Sequence, residues 1–172
     1  MSQPFKLLET FCSEELEEVQ QEVLANNKVW WVVDKWCIDN GYEYFVKEPK
    51  IACVPLIAGK EPPYVKTPFY EFFPKLTIAV AKRFGCNISR INIQKVKPES
   101  CYDIHTDNGA YFLTADRYAL AVNQGYVFKV DGKEVKIGVG DLFWFDNQKP
   151  HGAFNASKNE RIAVIIDVQK ES

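Results

Sequence analysis

At 172 residues the chain has the length of one folded unit able to bury a core without staples. Its net charge of −2, with 26% charged and 47% hydrophobic residues, is an ordinary globular balance with no basic block, so no nucleic-acid partner is expected. Nothing approaches the roughly 20 apolar residues of a membrane span, and the opening MSQPFKLLET lacks the basic-then-apolar pattern of a secretory leader. Five cysteines, odd in number and without a CxxC pair, fit reduced thiols, most of them buried. A cytoplasmic protein without membrane association is the expectation.

Ser13 is placed to cap a first helix. Glu14, Glu15, Glu17 and Glu18 load its start with negative charge, and Leu16, Val19, Val23 and Leu24 recur at helical spacing. Val29–Val33 and Tyr42–Val46 are β-branched and aromatic and read as strands. Ile51–Ile57 reads as another, with Pro55 marking it as an edge or irregular strand. Residues 59–68 carry Pro62, Pro63 and Pro68 and read as loop. A second helical region over 69–84 is expected to kink at Pro74 or begin there, and to stop at Gly85.

From residue 88 onward the chain reads almost entirely as short strands: Ile88–Val96, Tyr102–Asp107, Arg117–Asn123, Tyr126–Val130, Lys133–Ile137, Leu142–Phe145, Gly152–Asn155 and Arg161–Val168. Asp131-Gly132 marks a hairpin. The expected organisation is a single domain over 1–172. Residues 1–87 form a mixed helix and strand cover, and 88–168 form a mainly β core of sandwich or jelly-roll type, with helices on one outer face.

The chain has only two histidines, His105 and His151. In the segment His105-Thr106-Asp107, residues i and i+2 of a strand share a face, so the imidazole and carboxylate can converge. One further imidazole would complete a 2-His-1-carboxylate triad, a donor set that suits non-haem Fe(II) and leaves positions open. His151 is the candidate, delivered by an apolar strand, a polar turn and Pro150. Arg161 lies ten residues later. A strand pair joined by the turn 156–160 would set it near His151, and an inward guanidinium there needs an anionic partner. A rim arginine paired with Asp167 or Glu160 is the plainer alternative. Asn92 and Gln94 alternate on their strand, facing either the barrel interior or solvent. Asn108 and Tyr111 open the loop after the tripeptide, where a substrate could be touched. Trp30, Trp31, Trp36 and Trp144 read as core, and Cys101 as a buried thiol near the tripeptide.

The segments HTDN at 105–108, DRYAL at 116–120, GDLFWFDNQKPHGAFN at 140–155 and RIAVIIDV at 161–168 resemble the Fe(II)/2-oxoglutarate oxygenases, most closely the aspartyl/asparaginyl β-hydroxylase-like branch. The resemblance covers about half of the chain. It implies a double-stranded β-helix (jelly-roll, cupin-like) barrel, with iron held by His105, Asp107 and His151 and the distal carboxylate of 2-oxoglutarate bound by Arg161. It places Arg117 in the active site against a co-substrate or substrate carboxylate, with Gln94 a further carboxylate contact. That branch often carries a histidine where this chain has Ala119. The implied activity is hydroxylation of a peptidyl or small amino-acid-like substrate by molecular oxygen, releasing succinate and carbon dioxide. Two alternatives remain open: a cupin-type metalloprotein independent of 2-oxoglutarate, and a non-catalytic β-sandwich binding module.

Overall fold

The computed structural model describes residues 3–42, 50–59 and 62–170. Among these residues eleven strands and four α-helices run in the order β1 (Phe5–Thr10), α1 (Ser13–Ala25), α2 (Val33–Asp39), β2 (Ile51–Ala58), β3 (Val65–Lys66), α3 (Pro74–Phe84), β4 (Ile88–Val96), β5 (Ser100–His105), α4 (Ala110–Thr114), β6 (Ala115–Ala121), β7 (Tyr126–Val130), β8 (Lys133–Ile137), β9 (Asp141–Phe145), β10 (His151–Asn155) and β11 (Arg161–Gln169). They build two antiparallel sheets. One has seven strands in the order β1-β9-β6-β11-β4-β2-β3, and the other four in the order β5-β10-β7-β8. From β4 to β11 the chain passes repeatedly from one sheet to the other, leaving only the hairpin β7–β8 within a sheet. That winding is a double-stranded β-helix, a mainly β jelly roll with flanking helices. β1, β2 and β3, from before residue 88, extend the larger sheet on both sides.

Strand parity explains both faces of the larger sheet. On β11, Ile162, Val164 and Ile166 point outward. With Ile91 and Ile93 of β4 and Leu120 of β6 they form a core closed by Val19 and Val23 of α1 and Leu76 and Val80 of α3. Residues of the opposite parity face the smaller sheet. Ala119, Phe143 and Phe145 meet Tyr126, Phe128 and Ala153 there in an inner cluster. The outer core thus carries the helices, and the inner one surrounds the site.

The helices follow local rules, with some departures from the sequence reading. α1 begins at Ser13, but Cys12 is the cap and no side chain bonds the end. Glu14 and Glu15 sit in its first turn, while Leu24 points into solvent. Arg83 near the end of α3 ties the N-terminal elements together. It pairs with Glu9 of β1 and Glu15 of α1, and lies over the Phe11 ring at 3.8 Å. α3 starts at Pro74, whose missing N–H costs nothing there. The segment expected as a strand at Val29–Val33 is helical instead, a 3-10 turn over Asn27–Trp31 running into α2. Only Val29 and Val33, four apart, are buried in that span, so helical spacing overrides β propensity. The strand expected at Tyr42–Val46 lies outside the described residues, Tyr42 excepted. The loop at 108–116 contains α4, and two of the five cysteines, Cys37 and Cys53, are buried. Among the described residues no helix is long and apolar enough to cross a membrane.

Candidate metal centre and its cavity

The three residues singled out by the sequence come together at one end of the jelly roll. β5 and β10 are paired with His105 opposite His151, and the ring centroids are 4.4 Å apart. Asp107 lies two residues beyond the end of β5. Strand alternation alone therefore does not aim it. Its backbone N–H donates to Asn147 O at 3.0 Å, and Gln148 Nε2 donates to its carbonyl oxygen at 3.2 Å. The turn preceding β10 thereby folds Asp107 back toward both rings. Asp107 Oδ1 is 3.7 Å from His105 Nε2, and Oδ2 is 3.8 Å from His151 Nε2. One donor atom from each residue lies within 4.8 Å of the others.

The hydrogen bonds of the two rings leave the same atom free. His105 Nδ1 meets Asp103 O at 2.8 Å, and His151 Nδ1 meets Lys149 O at 2.9 Å. A carbonyl can only accept, so each Nδ1 carries the proton and each Nε2 presents its lone pair to Asp107 and the cavity. Burial pushes the His151 imidazole below its usual pKa, with His105 and Arg117 adding to that effect. Asp107 and the Lys149 carbonyl partly oppose it. The neutral ring, the form that binds a metal, is therefore favoured at neutral pH. Two imidazole nitrogens and a carboxylate fit a divalent transition metal such as Fe(II).

A cavity opens beside this cluster, between the two sheets. Gln94, Tyr102, Tyr126, Phe128, Phe145 and Arg161 contribute to its wall together with both histidines. Arg161 is 3% exposed. It lies over the Tyr126 ring at 4.2 Å, and its buried Nε has no hydrogen-bond partner. No ion pair among the described residues includes it, and burial holds its pKa below the usual value. The plainer alternative for this arginine fails in both parts. Glu160 pairs with Lys95 at 3.2 Å, and Asp167 pairs with Arg117. The route to the cavity also differs from the expected strand pair. β10 and β11 belong to different sheets, and the crossover between them is held by Asn155. Its Nδ2 donates to the carbonyls of Val96, Lys97 and Asn159, and its Oδ1 accepts from Ser157 N and Gln124 Nε2.

Of the other candidates, Gln94 lines the cavity, while Asn92 is buried on the same strand face with Oδ1 unpartnered. Arg117 also lines it, but two carboxylates engage its guanidinium. Nη1 donates to Asp107 Oδ2 at 2.5 Å, and Nε and Nη2 donate to Asp167 at 2.7 and 2.9 Å. Ala119 contributes to the cavity wall. Tyr111 donates to Asp167 rather than projecting into open solvent. Of the tryptophans read as core, Trp30 and Trp36 pack part-buried against the outer core, and the other two do not. Trp31 is 84% exposed, Trp30 packs under Lys95, and Trp144 bonds Asp116. Cys101 is not buried either, and its Sγ lies 3.0 Å from Asp103 Oδ1. The sequence reading missed Tyr102 and Tyr126, and offered Asp167 to Arg161 where it pairs with Arg117. Asp167 has the parity of Arg161 on β11 and could have been placed from that alone. Nothing local marks the two tyrosines.

Fold and site together define a jelly-roll protein with a His-x-Asp…His cluster opening on an internal cavity. The family model for aspartyl/asparaginyl β-hydroxylase matches residues 60–171, and the chain belongs to that family. It is similar to an L-proline cis-4-hydroxylase of Rhizobium meliloti, 26% identical over 117 residues that cover 66% of this chain. The match covers 42% of that relative, so the chain spans well under half of its length. Among solved structures, the plu4264 protein of Photorhabdus luminescens aligns with a TM-score of 0.48 at 10% identity, covering 73% of this chain and 81% of that one. The Cupin_2 domain of an XRE family transcriptional regulator from Enterobacter cloacae aligns at 0.47 and 13%, covering 71% and 99%.

Proposed function

We propose that this chain is a 2-oxoglutarate-dependent, non-haem Fe(II) hydroxylase acting on an amino-acid-like substrate, free or within a peptide. The single observation that carries the reading is Arg161, a buried guanidinium with no anionic partner among the described residues, in the cavity that His105 and His151 also line. A buried unpaired charge is costly, and a dicarboxylate reaching from the metal end would offset that cost. The family match and the resemblance to a proline hydroxylase support the same class.

In this reading His105, Asp107 and His151 hold the iron, and the Nδ1 bonds to Asp103 O and Lys149 O keep each Nε2 directed at it. Arg161 would receive the distal carboxylate of 2-oxoglutarate, with Gln94 available in the same wall as an amide donor. Phe128 and Phe145 keep water from the space between. Iron and co-substrate together supply the oxidation that divides O2 between a substrate hydroxyl and succinate, with carbon dioxide released. The substrate would approach from the His105 side, where the imidazole is part-exposed.

An anaerobic optical titration tests this without knowledge of the substrate. Fe(II) followed by 2-oxoglutarate should give a saturable visible charge-transfer band that is absent in His151→Ala. Iron binding without a band favours the cupin alternative, and no iron binding removes the metal reading altogether.

A further inference from the structure

The geometry points to Arg117 as the positioning residue of Asp107, itself fixed by Asp167. This rests on the metal reading above, and it differs from the carboxylate-binding role that the family resemblance gives Arg117.

A guanidinium holds an incoming carboxylate most firmly through two parallel N–H groups. Three of the five N–H groups of Arg117 are already committed to carboxylates of this chain, among them its side-on fork. Nε and Nη2 form the fork to Asp167, at 2.7 and 2.9 Å, and Nη1 is left for Asp107 Oδ2 at 2.5 Å. Asp167 is 1% exposed and stands opposite Arg117 in the β6–β11 register, so the fork is set by strand pairing. Tyr111 donates its hydroxyl to Asp167 Oδ2 at 3.0 Å, and Ser89 Oγ lies 2.8 Å from the same hydroxyl. The chain Ser89–Tyr111–Asp167–Arg117–Asp107 thus links β4, α4, β11 and β6 to a residue that belongs to no strand.

Two consequences follow for the carboxylate. With Oδ2 engaged by Arg117, Oδ1 is the oxygen with no other bond, which favours ligation through one oxygen and leaves room for further ligands. The second concerns charge. Asp167 cancels Arg117, so a cation beside Asp107 does not meet a net positive neighbour.

Co(II) titration of the metal-free protein tests this, because the visible spectrum of bound Co(II) reports the number and arrangement of its donors. In Asp167→Asn, affinity should fall about 10- to 100-fold, and the spectrum at saturation should change. Arg117→Lys keeps the charge and loses the fork, and should change the spectrum in the same way. Tyr111→Phe removes only the hydroxyl that steadies Asp167, and should shift affinity in the same direction by less. If one charge variant fails to fold, the other two carry the test. His105→Ala separates the two readings. If it binds Co(II) as the wild type does, or if the wild type binds none, the metal reading and this inference fall together. If it loses Co(II) while Asp167→Asn, Arg117→Lys and Tyr111→Phe retain wild-type affinity and spectrum, only the positioning role is overturned.

Discussion

Replacing Arg161 with Met should make the ligand-free protein more stable while abolishing its response to 2-oxoglutarate. The side chain is buried, has no carboxylate partner among the described residues, and leaves Nε without an acceptor. An ion in that position costs several kcal/mol after relaxation. Its contact with the Tyr126 ring at 4.2 Å returns about 1–2 kcal/mol. The net penalty is then about 1–3 kcal/mol, which Met removes while keeping much of the packed volume. At about 2–4 °C per kcal/mol for a chain of this size, Tm should rise by roughly 3–10 °C. Saturating ligand acts in the opposite sense. At one hundred times its Kd, 2-oxoglutarate should stabilise the wild type by about 2.7 kcal/mol, and the variant hardly at all. Scanning calorimetry on both proteins, with and without 2-oxoglutarate and with a redox-inert divalent metal throughout, reads both effects. A lower Tm for the variant, or protection of the variant by 2-oxoglutarate as large as that of the wild type, would refute the argument.

Three further outcomes are expected. Gly152→Ala places a Cβ 2.7 Å from Tyr102 O, where β10 meets β5. It should cost about 1–3 kcal/mol in denaturant unfolding and weaken Co(II) binding by displacing His105 from His151. Unchanged metal affinity would show that the strands absorb the clash. Asn155→Ala withdraws donors from three carbonyls at the β10–β11 crossover and should cost about 2–4 kcal/mol, with urea melts as the check. The carboxyl of Glu15 is held below its ordinary value of 4.5, chiefly by the hydrogen bond from Arg83. On acidification the unfolded chain therefore takes up this proton first. Its contribution is present above about pH 4.5 and lost as pH falls through the folded-state value. Glu15→Gln should flatten the fall of stability in that window, and an unaltered profile would place the acid sensitivity elsewhere.

Several elements were readable from sequence because their signals are local. Pro74 and Gly85 bound α3, Asp131-Gly132 turns the hairpin, and alternation on β4 and β11 separates outer core from cavity. The jelly-roll winding and the convergence of His105, Asp107 and His151 followed from pattern and resemblance together. What escaped depends on contacts distant in sequence. Val29–Val33 has strand-like composition, yet it is helical and buries Val29 and Val33 against the outer core. β1 pairs with β9 across some 135 residues and keeps an exposed face, so no hydrophobic run announces it. Asp107 is aimed by the turn at 147–148 rather than by strand alternation. Arg117 and Arg161 look alike in sequence. Only the three-dimensional partners separate them, two carboxylates for the first and an aromatic ring for the second.

β11 sorts its own substitutions by whether the position is odd or even. Even-numbered Ile162, Val164 and Ile166 face the helices, while odd-numbered Arg161, Ile165 and Asp167 face the cavity and its charge network. Variation along one strand therefore splits into two nearly independent sets, one altering durability and the other altering what the cavity accepts. A lineage could drift in either set without touching the other. Inserting or deleting a single residue within the strand would instead exchange the two roles over part of its length, putting isoleucine where Arg161 now lines the cavity and a guanidinium into the greasy interior. Length changes in such a protein should accumulate at the 156–160 turn, where the register of β11 can be kept, and be purged from the strand itself.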